Sequence, residues 1–299
     1  MKNEKKAILT VSFGTSYAET RCKTIDAIEQ AIQLAFPDRK VYRAWTSKMI
    51  IRKLLAQGEL TVDTAEQAMV RMKNDGITDM IVQPTFIMDG MEYERMKEAI
   101  APFLDQFESL RFGAPLLTGQ TNFGKLVDGI MNELLATVKL NQDTALVWMG
   151  HGTSHKDNAL YMRLEEEFHQ RGYDHVFVGT MEVREAMKVG EVMEVGRMME
   201  VGRMMKGGRM IKVGGVMKDG KSVEELKKQV KASGCRRVLL TPFLVVAGTH
   251  ALKDMAGDGE KSWKSQFESE GLEVECLMKG LGEYEVIRQI FADHAKLAD

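Results

Sequence analysis

Residues 144–154 read TALVWMGHGTS. An apolar run of this length that meets Gly-His-Gly is typical of a buried strand that ends in a tight loop. Residues 8–16 read ILTVSFGTS and end in the same Gly-Thr-Ser tripeptide. The later stretch therefore resembles the earlier one, and together they predict that the chain contains the same strand and loop twice.

Two further pairs of segments repeat in the same order. HVFVGTMEVRE at 175–185 resembles KVYRAWTSKMI at 40–50, and RRVLLTPFLVVAGTH at 236–250 resembles TDMIVQPTFIMDGME at 78–92. One shared tripeptide would be chance. Three matched segments in one order indicate an internal duplication.

Each half alternates short β-rich runs with longer amphipathic runs. ETRCKTIDAIEQAIQLAF has the apolar spacing of a helix, and TVDTAEQAMVRMKNDG reads as a helix that stops at Gly76. Alternation of this kind predicts parallel sheets flanked by helices. We therefore expect an α/β protein with two similar domains, residues 1–139 and 140–299, joined by the polar link KLNQD.

Composition argues against several classes of protein. The net charge of −2 gives no strong field for nucleic acid. The first apolar run is too short for a signal peptide, and no segment approaches the ~20 apolar residues of a membrane span. Cys22, Cys235 and Cys276 are widely spaced and predict neither a zinc site nor a disulfide framework. We expect a cytoplasmic protein without a nucleic-acid or membrane partner.

The loops after the predicted strands hold the residues suited to chemistry. Parallel strands end at one edge of their sheet, and ligands bind at that edge. In the second half these loops hold His151, His250 and Glu182, and the duplication places Phe13 opposite His151 and Glu92 opposite His250. Imidazole and carboxylate suit a divalent first-row metal, and three ligands leave positions open for a substrate. The alternative is that each histidine only makes hydrogen bonds within its loop.

Nucleotide chemistry is not expected, because the chain has neither a P-loop nor the dinucleotide-binding fingerprint. Four segments instead suggest a family: VSFGTSY, RAWTSKMIIRKL, MGHGTSH, and LVVAGTHALKDMAGD followed by SWK. They resemble the anaerobic sirohydrochlorin cobaltochelatases, the ATP-independent class II chelatases of the CbiK family in the cobalamin pathway. The resemblance covers nearly the whole chain apart from residues 189–218.

The resemblance implies two chelatase-like, flavodoxin-like domains with a tetrapyrrole cleft between them. It implies insertion of Co²⁺, as a substrate metal, into sirohydrochlorin or its oxidised form, factor II. An iron or nickel chelatase acting on the same tetrapyrrole remains an alternative, as does a non-catalytic metal or haem carrier. A homo-oligomer also remains open.

The resemblance also implies roles for individual residues. His151 matches the histidine that binds metal and accepts pyrrole protons, His250 matches the second metal histidine, and Glu182 matches the carboxylate ligand. Glu92 matches an acidic residue at the cleft that assists metal delivery or proton removal. After Glu182 this chain reads Val-Arg-Glu, where the family continues Gly/Ser-Tyr-Pro.

Contacts to the tetrapyrrole are expected from the strand-end loops. The predicted residues are Phe13, Gly14, Thr15, Ser16, Met88, Gly90 and Gly152. The candidates for binding the substrate's carboxylates are Arg43, Arg52 and Lys53.

Residues 189–218 form an array of methionine-rich hexads, VGEVME, VGRMME, VGRMMK, GGRMIK and VGGVMK. A period of six does not follow the 3.6-residue period of a helix, and thioether sulfur prefers Cu(I) to Co²⁺. The array lies between Glu182 and a helix predicted to be capped by Ser222. We expect a mobile or partly helical surface insert without catalytic function. A partner or oligomer contact and metal handling remain alternatives.

Overall fold

A computed structural model of the chain describes residues 5–59, 61–153, 156–181 and 220–299. Glu182 and the array at 189–218 therefore lie outside the described residues. No helix within the described residues is long and apolar enough to cross a membrane.

The described strands form two parallel sheets with the same topology. The first has the order β2-β1-β3-β4 and contains β1 (Lys6–Ser12), β2 (Lys40–Trp45), β3 (Asp79–Pro84) and β4 (Ser109–Phe112). The second has the order β6-β5-β7-β8 and contains β5 (Thr144–Gly150), β6 (Val176–Thr180), β7 (Arg237–Pro242) and β8 (Glu273–Cys276). The predicted α/β fold with two similar parallel sheets is confirmed.

Helices cover the faces of both sheets. In the first half they are α1 (Ala18–Arg21), α2 (Ala27–Ala35), α3 (Lys48–Ala56), α4 (Ala65–Asn74), α5 (Met91–Ile100) and α6 (Phe123–Leu135). In the second half they are α7 (Leu160–Gln170), α8 (Val223–Ala232), α9 (Trp263–Glu268) and α10 (Glu285–Ala298). Two π-helical segments, Cys22–Asp26 and His250–Met255, and three 3₁₀ turns, Ala101–Gln106, Lys156–Ala159 and Leu281–Glu283, complete the described elements.

The backbone follows the same path at the strand ends of the two halves. The amide of Thr46 donates to the carbonyl of Ser12 at 3.0 Å after β2. The amide of Met181 donates to the carbonyl of Gly150 at 3.1 Å after β6. Equivalent bonds at equivalent positions are what a duplicated backbone requires.

One hydrophobic core joins the two halves. It contains Ile8 of β1, Trp148 of β5 and Phe291 of α10, all fully buried. The last helix, α10, packs against β3, β4 and α2, although it follows the second sheet in the chain. Burying a large apolar side chain stabilises a fold by about 1.5–3 kcal/mol, so this shared core ties the halves together. The domain boundary between residues 139 and 140 stays a prediction.

The connection that contains the array begins and ends at neighbouring points. The amide of Thr180 donates to the carbonyl of Lys221 at 2.9 Å, so the chain leaves β6 and returns beside it. The first half has the equivalent bond, from Trp45 to Asp63, at 2.9 Å. The anchor points of this connection are therefore the same in both halves, whatever lies between them.

The helix after the array begins as predicted. The side chain of Ser222 accepts a hydrogen bond from the amide of Glu225, and Glu225 bonds back to the Ser222 amide. Thr64 and Gln67 form the same capping box at the start of α4. Each cap satisfies amides at the helix start that have no partner within the helix, so α8 carries its own start signal independent of the array.

Deleting residues 189–218 is expected to leave the fold intact. Because the anchor points already touch, a shorter connection can span them, and we expect the free energy of unfolding to change by no more than about 1 kcal/mol. Circular dichroism and urea denaturation measure this. The matched control deletes α3 from the equivalent connection of the first half, which should destabilise the protein because Leu54 of α3 is fully buried. A loss of several kcal/mol on deleting the array would show that it belongs to the folded core.

Candidate active site

The structure brings His151 and His250 together. His151 follows β5 and His250 follows β7, which is the neighbouring strand of the second sheet. The centroids of the two rings lie 5.0 Å apart, and their planes are at 84° to each other. Both side chains are exposed. Two solvent-accessible imidazoles at this separation can share one ligand.

Each ring has one nitrogen engaged by an oxygen. Nδ1 of His151 lies 3.1 Å from the carbonyl oxygen of Gly152, and Nδ1 of His250 lies 2.7 Å from Oδ2 of Asp254. A carbonyl and an ionised carboxylate only accept hydrogen bonds, so each Nδ1 carries the proton and donates it. The lone pair of each neutral ring is then on Nε2, the nitrogen available to a metal ion.

The loop that carries His151 rests on a buried tyrosine. Tyr161 of α7 is 3% exposed, and the backbone of His151 and Gly152 lies near its hydroxyl and partly opposes the rise in its pKa that burial causes. A Cβ atom added at Gly150 would lie 2.6 Å from the Tyr161 ring. Gly152 has φ of +83°, in the left-handed region that favours glycine. Two glycines and one phenol therefore set the backbone that presents His151.

Replacing Tyr161 with phenylalanine is expected to lower the free energy of unfolding at pH 7 by about 1–3 kcal/mol, because the backbone of this loop loses its buried polar neighbour. Burial also raises the pKa of the Tyr161 hydroxyl above its ordinary value of 10.0. The hydroxyl then stays neutral in the folded state while its unfolded counterpart ionises. Its contribution to stability is present below pH 10 and is lost as pH rises further, so the variant should decline less steeply there.

Urea denaturation between pH 7 and 11 measures both effects. Tyr17→Phe is the control, because Tyr17 is 37% exposed. If Tyr161→Phe were as stable as the unaltered protein at pH 7, the phenol would not support the loop.

The two sheet edges face each other through reciprocal contacts. A Cβ at Gly90 would lie 3.4 Å from Oγ1 of Thr153, and a Cβ at Gly248 would lie 3.9 Å from Oγ1 of Thr15. Thr15 and Thr153 occupy equivalent positions in the duplication, and so do Gly90 and Gly248. The strand-end loops of the two halves therefore lie close to each other.

The predicted substrate residues of the first loop have distinct environments. Phe13 is 49% exposed, whereas Gly14 is buried with φ of +98°. A side chain at Gly14 would meet the ring of Trp45 at 2.6 Å, so this loop requires glycine. Ser16 is half-buried, and its hydroxyl accepts a hydrogen bond from Nζ of Lys53 at 3.1 Å. This loop thus carries an exposed aromatic ring and has the cation of Lys53 beside it.

Two other predicted residues, Glu92 and Met88, are less available to a substrate. Glu92 lies in the first turn of α5 and forms an ion pair with Arg95 at 2.7 Å. Met88 is 7% exposed and belongs to the core, which does not favour a side-chain contact with substrate. The roles of both residues stay predictions.

Of the three basic candidates, Arg43 is already paired. Its guanidinium contacts the carboxylates of Glu29 and Asp26. Arg52 and Lys53 are exposed on α3. Lys53, beside the first strand-end loop, is therefore better placed than Arg43 to meet a substrate carboxylate.

Asp254 and Tyr161 are not among the site residues predicted from the sequence. Asp254 follows His250 at a spacing of four residues, which brings two side chains together on one helical face and is a readable signal. Tyr161 lies ten residues beyond His151 and has no comparable local signal. Within the described residues no cluster of three or more His, Cys, Asp or Glu side chains is arranged to hold a metal.

Comparisons with known proteins identify the family of this chain. The family model described as "Cobalt chelatase (CbiK)" matches residues 6–201 and 190–298. The chain is 32% identical over 290 residues to the sirohydrochlorin cobaltochelatase of Salmonella typhimurium, covering 97% of this chain and 95% of that protein. It is 29% identical over 296 residues to the sirohydrochlorin cobaltochelatase CbiKC of Nitratidesulfovibrio vulgaris, covering 98% and 90%. The two ranges matched by the family model overlap within the array.

Solved structures with a similar fold include two of SirB. SirB from Bacillus subtilis with Fe³⁺ superposes with a TM-score of 0.62 at 12% identity, over 98% of this chain and 95% of that one. The sirohydrochlorin chelatase SirB from Bacillus subtilis subspecies spizizenii, in complex with cobalt, gives a TM-score of 0.58 at 11% identity, with the same coverage. At this level of identity the likeness establishes the fold alone.

Proposed function

The chain belongs to the cobalt chelatase (CbiK) family, and we propose that it inserts Co²⁺ into sirohydrochlorin at the paired imidazoles of His151 and His250. It is an enzyme, a metal chelatase. The observation that carries the proposed site is the 5.0 Å separation of the two rings. Their Nδ1 atoms already donate to oxygen, so both Nε2 lone pairs are available to one ion.

Chelation exchanges two pyrrole protons for one divalent ion. In water, the hydration shell of the ion and the N–H groups of the flat macrocycle obstruct each other. Two imidazoles that replace water molecules hold Co²⁺ partly dehydrated at a fixed place. A tetrapyrrole bound in the adjacent cleft then meets the ion in a nearly intramolecular reaction, which removes much of the entropic barrier.

An imidazole released by the metal becomes a base. As ring nitrogens replace the protein ligands one by one, the Nε2 lone pair of His151 is freed and can accept a pyrrole proton. The exposed ring can pass this proton to solvent and accept the second one. Base assistance of this type contributes about 10²–10⁴-fold in rate. Formation of the metal–nitrogen bonds drives the exchange, so ATP is not required.

The first-half loop supplies the complementary contacts for the tetrapyrrole. The exposed ring of Phe13 offers an apolar face for the flat macrocycle. Lys53, held beside Ser16, offers a cation for one of its carboxylates. Glu182 is retained as the proposed third ligand on the strength of the resemblance, and Glu92 as the proposed acid–base residue at the cleft.

One assay tests the proposal against its alternatives. Purified protein is mixed with sirohydrochlorin and, in turn, Co²⁺, Fe²⁺ or Ni²⁺ without ATP, and absorption is followed over many equivalents of substrate. We expect repeated turnover with Co²⁺. A reaction that stops at one equivalent indicates a carrier. Faster insertion of Fe²⁺ or Ni²⁺ indicates a different physiological metal, since histidine sites accept several ions.

A further inference from the structure

The second histidine of the pair has a dedicated hydrogen-bond acceptor. Asp254 lies four residues after His250 in the π-helical segment His250–Met255, and its Oδ2 is 2.7 Å from Nδ1 of His250. Within the described residues this is the only hydrogen bond of the Asp254 carboxylate. π-Helical turns are rare and concentrate at functional sites. We infer that Asp254 is a positioning residue, which fixes the orientation and tautomer of His250 for metal binding.

A folding role does not explain this carboxylate. Both Asp254 and His250 are 50% exposed, and neither belongs to a core cluster. Exposed ion pairs contribute little to stability because water screens them and both side chains lose freedom. The hydrogen bond therefore has its main consequence at the ring itself, where it places the proton on Nδ1 and the lone pair on Nε2.

The duplication supplies an internal comparison. Strands β3 and β7 place Glu92 opposite His250 and, four residues later, Met96 opposite Asp254. Met96 is 1% exposed and packs in the core of the first half. By count along the sequence, the first half thus has no carboxylate four residues after the residue that stands opposite His250. The carboxylate acceptor is therefore found only in the half that has the histidine to donate to it.

The geometry matches a recurring arrangement at metal sites. A histidine that binds a metal donates its other ring N–H to a carboxylate or a carbonyl, which holds the ring and makes its free nitrogen more basic. His250 has the carboxylate of Asp254, and His151 has the carbonyl of Gly152. This inference rests on the proposed function, because it assigns Asp254 to the cobalt site proposed above.

The test measures Co²⁺ binding to the protein alone. We compare unaltered protein, Asp254→Ala, Asp254→Asn and Asp258→Asn by visible absorption of bound Co²⁺. Asp254→Ala should weaken the dissociation constant about 10–100-fold. Asp254→Asn should lose less, because its amide oxygen still accepts from Nδ1. Asp258 is a matched control, since its carboxylate is paired with Lys264 at 3.2 Å and is not bonded to a histidine of the site. Asp258→Asn should bind as the unaltered protein does.

Steady-state rates with sirohydrochlorin separate positioning from general damage. The Co²⁺ concentration that gives half-maximal rate should rise in Asp254→Ala by the same factor as the dissociation constant, while that for sirohydrochlorin stays unchanged. Unchanged Co²⁺ affinity in Asp254→Ala overturns the inference. So does an equal loss in Asp254→Asn, which would mean that charge and not orientation matters, or an equal loss in Asp258→Asn.

The binding measurement uses no tetrapyrrole. If none of the proteins inserts cobalt, the proposed function fails, while the titration with Co²⁺ alone still decides whether Asp254 positions His250.

Discussion

Replacing His151 with alanine is expected to reduce the rate of cobalt insertion by at least about 10²-fold, because the change removes both a metal ligand and the proposed proton acceptor. The side chain is exposed, and its described hydrogen bond is to the carbonyl of the adjacent Gly152. The free energy of unfolding should therefore change by no more than about 0.5 kcal/mol. The rate is measured from the absorption change of sirohydrochlorin at saturating Co²⁺.

The matched control for this variant is His175→Ala. His175 immediately precedes β6, at the opposite end of the same sheet, and its Nδ1 lies 3.3 Å from Sγ of Cys235. This variant also loses one imidazole, but not at the cleft, so it should insert cobalt at the unaltered rate. If His151→Ala also inserted cobalt at that rate, His151 would be neither ligand nor base.

The second large effect concerns His250, alone and combined with His151. His250→Ala should lower the rate of cobalt insertion by about as much as His151→Ala does. Added Co²⁺ should restore part of this rate, because His250 holds the metal and is not the main proton acceptor. The double variant should be no slower than the slower single variant. When two residues act together in one step, the fold-reductions in rate of the single variants do not multiply in the double variant.

Rates for the four proteins at several Co²⁺ concentrations decide this prediction. Losses that multiply in the double variant would show that the two imidazoles act independently. That result would contradict a shared ion between rings whose centroids are 5.0 Å apart. Equal recovery of both single variants at high Co²⁺ would instead assign both residues to metal binding alone and remove the base role from His151.

The central strands were predictable from sequence because they are buried on both faces. β1, β3, β5 and β7 have almost continuous apolar runs, as central parallel strands require. Of the four edge strands, β2 and β6 were also predicted, whereas the short strands β4 and β8 lack this pattern. Ser109–Phe112 is only partly buried, and Glu273–Cys276 alternates exposed and partly buried residues. Short edge strands are defined by pairing with a neighbour, which local sequence does not encode.

The histidine pair was predictable for a topological reason. Once the duplication identifies β5 and β7 as equivalents of β1 and β3, parallel strands must end at one edge and bring their loops together. The residues that surround this site could not be predicted in the same way, because their contacts depend on tertiary packing. Tyr161 reaches its loop because α7 packs against the second sheet, and the pairing of Arg43 with Glu29 depends on how α2 lies over β2. Side-chain partners of this kind become visible only when the elements are assembled.

The most direct test of the account is the position of the metal itself. Crystals of the protein soaked in Co²⁺ are measured on both sides of the cobalt absorption edge, and the anomalous difference map locates the ion. The account predicts one peak about 2.1 Å from Nε2 of both His151 and His250, a distance typical of first-row metals bound to imidazole. A principal peak away from these two rings, or one bound through Nδ1 of either, would contradict it.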